Sequence, residues 1–176
     1  MYGVKVIKAK KKATPDSRQI IRNALMRVGR ATVKEYDNLT ETWNDPPTFK
    51  IATHVTASDS EVVVMVSPDP DAEATKVYGY VNNGTKAHDI WAGYYTGKSK
   101  HKVLAFPSQF TPKTKPGSLT SGSGSSGGPT VFTPFVRHPG TKARGFDKAM
   151  SKKMAKKFRA EMIKALKEIA NKGYKA

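Results

Sequence analysis

From Phe146 onward an apolar residue returns at every fourth position: Phe146, Met150, Met154, Phe158, Met162 and Leu166. Four-residue steps place side chains on one stripe of an α-helix, and Ile163 and Ile169 widen that stripe. The remaining positions are largely lysine. Gly173, following Asn171 and Lys172, supplies a natural stop. The spacing predicts a helix from about residue 146 to 171. A helix with one apolar stripe must bury it against something. The rest of the chain therefore has to supply a partner surface.

A second long helix opens at Thr14-Pro15-Asp16, where Thr suits the N-cap, Pro the first helical position and Asp the positive helix end. Ile21, Leu25, Val28, Tyr36, Leu39 and Trp43 then recur at three- and four-residue steps, with Ala31 and Thr32 bridging the middle. That pattern spans roughly 28 residues, and Pro46-Pro47 ends it. Phe49 to Thr56 alternates apolar and polar, Glu61 to Val66 is a buried-type run, and Ala57 to Ser60 carries turn chemistry. Together they predict an antiparallel hairpin. Pro68 to Asp71 is a loop, and a third apolar segment, Val77 to Val81, runs into a turn at Asn82-Asn83-Gly84.

Val103 to Phe106 is a short strand candidate stopping at Pro107, and Val131 to Val136 is extended, with Pro134 placing it at an edge. Between them, from Pro116 to Pro129, the chain is almost entirely Gly, Ser and Thr, too polar to offset its own ordering entropy. Helix, strands, helix in that order imply an α+β fold, an antiparallel sheet packed against a long N-terminal helix and a long basic C-terminal helix. Tyr2 to Ile7 is a short strand candidate, followed by the basic run Lys8 to Lys12. The expected organisation is a basic arm over 1–13 and a single α+β domain over 14–176, with a flexible Gly/Ser-rich loop at 117–128.

Across 176 residues, 31 Lys and Arg face 14 Asp and Glu, a net charge of +17. Such charge self-repels and favours a polyanion or an acidic protein as neighbour. The chain has no cysteine, which excludes disulfides, thiolate nucleophiles and Cys-ligated zinc. The opening residues are too short an apolar run for a signal peptide, and no window approaches a membrane span. A soluble chain made in a cytoplasm is the expectation.

Motifs of catalysis are missing: no phosphate loop, no His-Glu-x-x-His helix and no Gly-x-Ser-x-Gly elbow. The four histidines, His54, His88, His101 and His138, lack metal-ligand spacing. His88, Asp89 and His138 could meet to hold a metal; the plainer reading has both histidines capping turns or bonding to backbone. The string Gly-Thr-Lys-Ala occurs twice, at Gly84-Thr85 and Gly140-Thr141 onward. Both suit turns, whose successive amides can also bind an anion. Lys152, Lys153, Lys156 and Lys157 lead a lysine-rich face on the last helix, either simply solvated or turned toward a polyanion. Lysine in place of arginine suits backbone contact over base reading.

Three segments carry a recognisable order: Tyr80 to Ile90, Lys102 to Phe106, and Val136 to Phe146 with its His138-Pro139-Gly140 turn. This order resembles the neck, or tail-completion, protein family of long-tailed bacteriophages. The resemblance implies a small α+β subunit, a structural virion protein made in the host cytoplasm. It implies a homo-oligomeric ring, six- or twelve-fold, at the head–tail junction that joins the DNA-filled head to the tail. Implied partners are portal-side and tail-side ring proteins, with channel DNA as a further contact and no membrane. No catalysis, metal or cofactor is implied. Gly84, Thr85, His88, His138, Gly140, Thr141 and the four lysines are the candidate contacts with neighbouring subunits or DNA. The rival readings are a nonspecific nucleic-acid-binding protein and a metal-dependent nuclease.

Overall fold

The computed structural model describes residues 15–55 and 62–173. Within them the fold is α+β: three helices and three separate two-stranded antiparallel ladders. The helices are α1 (Pro15–Thr40), α2 (Glu73–Asn83) and α3 (Phe146–Gly173). The strands are β1 (Phe49–Val55), β2 (Val62–Pro68), β3 (His88–Trp91), β4 (Leu104–Thr111), β5 (Ser125–Thr133) and β6 (Phe135–His138). They pair β1–β2, β3–β6 and β4–β5, so the expected single sheet is three ribbons. The strand expected over Tyr2–Ile7, the basic arm, the Thr14 cap and the turn at 57–60 lie outside the described residues. Where one domain is expected from residue 14 onward, the chain divides into two compact units, Met1–Thr75 with Asp147–Ala176, and Lys76–Phe146.

The first unit is built by α1, α3 and the β1–β2 hairpin, paired from Phe49↔Pro68 to Val55↔Val62. Leu25 of α1 and Val62 and Val64 of β2 form a buried cluster, with Ile51, Phe158 and Met162 packed against it. Ile20 and Ala24 bury with Ala165 of α3. Full burial of a Leu or Val side chain contributes about 1.5–3 kcal/mol, so these contacts hold both helices on the hairpin. Tyr36 stacks on Phe49 at 4.2 Å between ring centroids, and its hydroxyl donates to Asp147 Oδ1 at 3.0 Å. Helix α1 ends at Thr40, before Trp43 and well before Pro46-Pro47. The Thr40 hydroxyl donates back to Tyr36 O and the Trp43 amide closes a turn on Thr40 O, which ends the helix locally.

Along α3 the buried positions are Phe146, Met150, Met154 and Ala165, with Phe158, Met162 and Ile169 half-buried. Leu166 and Ile163, expected in the stripe, are 55% and 48% exposed. At 3.6 residues per turn each four-residue step advances the side chain by about 40°. By Met162 the stripe has rotated far around the axis, and the inward face continues through Ala165, a three-residue step.

The second unit starts within α2. The apolar segment Val77–Val81 is helical: Ala74, Tyr78 and Asn82, four residues apart, are buried, while Val77 and Tyr80 are exposed. Strand β4 runs on through Pro107 to Thr111 with a register shift between Pro107 and Gln109. Proline lacks a donor, so the ladder breaks there and resumes beyond it. Its partner β5 begins at Ser125, so Ser125, Ser126 and Gly127 of the Gly/Ser-rich stretch pair with β4. Backbone pairing needs no side chain, which is why composition conceals this strand. Pro134 separates β5 from β6.

Candidate functional site

The two Gly-Thr-Lys-Ala strings pair with each other. Thr85 and Thr141 form an antiparallel bridge, the amide of each donating to the carbonyl of the other at 3.0 and 3.2 Å. The Thr141 amide also reaches Thr85 Oγ1 at 3.0 Å. Gly84 and Gly140 precede them at φ of 75° and 88°, the left-handed region that suits glycine. A Cβ on Gly84 would stand 2.5 Å from Thr141 O, and one on Gly140 would strike Thr85 O. Only glycine permits this mutual approach. The amides of Arg144 and Gly145 then donate to Val81 O and Asn82 O at the end of α2, tying the three segments together. Both Thr amides are engaged in the pair, so the strings act as a clasp more than as anion-binding turns.

Beyond the clasp the chain continues into the β3–β6 ribbon, in which His88 stands opposite His138 with ring centroids 5.1 Å apart. The two histidines, which the sequence allowed to meet, lie side by side. His138 Nδ1 accepts from the Gly140 amide at 3.0 Å, and His88 Nδ1 lies 2.9 Å from Lys86 O, so both engage the backbone of the clasp. Asp89 does not join them. It is next to His88 on the strand, where side chains alternate faces, and it pairs with Arg137 at 3.3 Å. Among the described residues, no three His, Cys, Asp or Glu gather closely enough to hold a metal ion.

The ribbon's other end carries a feature that the sequence reading did not single out. Trp91 stacks on Phe135 at 5.0 Å, Tyr95 meets Trp91 edge-on, and Tyr94 packs against Tyr95 under the ammonium of Lys102. These four rings remain between 45% and 55% exposed. Phe110 and Phe132 on the β4–β5 ribbon are exposed further, at 75% and 68%. The signal was present in the run Trp91-Ala-Gly-Tyr-Tyr95 and in the Phe132 and Phe135 that flank Pro134. From Pro116 to Val136 no residue is charged. A chain carrying +17 thus keeps one uncharged, aromatic stretch on its second unit.

In the first unit Lys152, Lys153, Lys156 and Lys157 are all exposed on α3, and Lys153 pairs with Glu35 of α1. Glu161 receives Arg27 at 2.7 Å and Lys164 at 3.3 Å. The hydrogen bond from Arg27 above all, with that from Lys164, holds its carboxyl below the ordinary glutamate value of 4.5. At the mouth of the hairpin, the Lys50 hydrogen bond lowers Asp69 and in turn raises Lys50. An apolar groove of about 460 Å³ opens between α1, β2 and α3, lined by Leu25, Val28, Phe49, Met150, Met154 and Phe158. Asp147 at its wall is already bound by Tyr36. No described helix is long and apolar enough to cross a membrane.

Compared with known proteins, the chain matches no family model, no curated protein and no solved structure.

Proposed function

We propose that this chain is a structural virion protein of the head–tail junction of a long-tailed bacteriophage, assembling into a ring that joins head to tail. The resemblance supplies the identity of the assembly. The observation that carries the reading physically is the exposed aromatic cluster of Trp91, Tyr94, Tyr95 and Phe135, at the end of the β3–β6 ribbon away from the clasp at Thr85 and Thr141. Contiguous exposed aromatic surface on a soluble chain marks an interface. A two-stranded ribbon is marginal in isolation, and its unpaired edges are open to a neighbour. Copies docked head to tail through such a surface close into a ring when the rotation allows. The clasp fixes the ribbon's root and leaves the aromatic end to reach out.

The test is electron microscopy of the purified full chain together with its mass in solution. Closed rings of uniform copy number are the expected result. A chain that stays monomeric at high concentration, and binds duplex DNA tightly with a log–log salt slope of several units, would instead support nonspecific nucleic-acid binding.

A further inference from the structure

The outward face of α3 separates its charges by an unusual rule. On a helix of 3.6 residues per turn, the positions within about 60° of Ile163 include Lys148, Lys152, Lys156, Arg159 and Lys167. All five cations are exposed, and none has a carboxylate partner among the described residues. The helix's three acidic residues, Asp147, Glu161 and Glu168, all fall outside that arc. Three of the four lysines elsewhere on the helix behave differently: Lys153 pairs with Glu35, Lys164 with Glu161, and Lys172 with Glu168. The fourth, Lys157, is not ion-paired, whereas all five cations on this face are unmatched among the described residues. Within the same arc lie the two exposed aliphatic side chains, Ile163 and Leu166, with the exposed Ala160 and Ala170 beside them.

We propose that this face docks an acidic, amphipathic protein surface, one that sets carboxylates against the five cations and an apolar ridge on Ile163 and Leu166. The partner's identity as a neighbour in the assembly rests on the head–tail junction reading. Charge alone would suit nucleic acid equally well. The aliphatic pair decides between them, because a phosphate backbone offers no apolar group to cover Ile163 and Leu166, whereas an amphipathic helix does. Removing those side chains from water would add affinity that a simple polyanion cannot supply.

The experiment measures binding of the full chain to three labelled probes by fluorescence anisotropy. These are a helical peptide with leucines on one stripe flanked by glutamates, poly-glutamate of equal charge, and a short DNA duplex. The amphipathic peptide is expected to bind at least about tenfold tighter than poly-glutamate. The double variant Ile163→Gln/Leu166→Gln removes that advantage while leaving duplex binding unchanged; both sites are exposed and glutamine is a good helix former, so the fold survives. Lys152→Gln/Lys156→Gln/Arg159→Gln weakens the peptide and poly-glutamate alike. Equal affinity for the two acidic probes, or a peptide advantage that survives Ile163→Gln/Leu166→Gln, overturns the proposal. So does duplex DNA binding tighter than the peptide. Ring formation by the same preparations is scored separately: peptide preference without rings sinks the junction reading alone, and rings without preference sink the docking face alone.

Discussion

The two compact units spend their apolar residues in opposite ways. In the first, Leu25, Val62, Val64, Met150 and Met154 are buried, and the surface is laced with ion pairs such as Arg27–Glu161 and Lys153–Glu35. In the second, Phe110 and Phe132 are largely in water on β4 and β5, and Trp91, Tyr94, Tyr95 and Phe135 are about half exposed at and just beyond the end of the β3–β6 ribbon. Fully burying an exposed ring is worth about 1.5–3 kcal/mol, so covering the remaining exposed part of these six would recover a fraction of that apiece in the proposed assembly. The contrast separates a unit that buries most of its apolar side chains from one that exposes its aromatic rings. The proposed assembly rests on the second.

Breaking the first side of this contrast takes a core deletion. Leu25→Ala should cost about 2–5 kcal/mol of stability in urea denaturation, because it empties the cluster under β2. A loss under 1 kcal/mol would mean that the helical core is not what holds this unit. On the second side, Gly140→Ala should cost about 1–3 kcal/mol, since alanine there adopts an unfavourable positive φ and drives its Cβ into Thr85 O. Faster hydrogen exchange at the Thr85 and Thr141 amides would locate that damage in the clasp.

Trp91→Ser combined with Phe135→Ser should cost only about 1 kcal/mol in the isolated chain yet abolish self-association in analytical ultracentrifugation. Retained association would move the interface elsewhere. Smallest of all is the acid response of Glu161. Its folded pKa lies below 4.5, so its ion pairs stabilise the fold above that value, and the contribution fades as the pH falls through the lower, folded pKa. Arg27→Gln should flatten this part of the curve of melting temperature against pH; an unchanged slope would show that Arg27 does not set it.

Much of the first unit was legible because its signals are long. The stripes on α1 and α3 and the alternation in β1 repeat often enough to outweigh local noise. Leu166 misled because four-residue spacing drifts around a helix, and continuation on a real inward face demands a three-residue step to Ala165. The second unit was harder to read. Helix α2 hides in a short run whose buried residues include Asn82, a polar residue that periodicity discounts. Strand β5 begins in glycine and serine, where only backbone pairing betrays it. The sequence allowed His88 to meet His138; the pairing of the two Gly-Thr-Lys-Ala strings was not legible, since each reads as a local turn while their partnership spans 56 residues.

Hydrogen exchange followed by mass spectrometry, on the full chain when dilute and when concentrated, tests the contrast most directly. Strong protection of α1 and α3 in the dilute chain is predicted, with β3–β6 and β4–β5 exchanging fast. Concentration should then slow exchange in the ribbons and leave the helices as they were. Ribbons already as protected as the helices in the dilute chain, or unmoved at any concentration, would contradict a second unit completed by its neighbours.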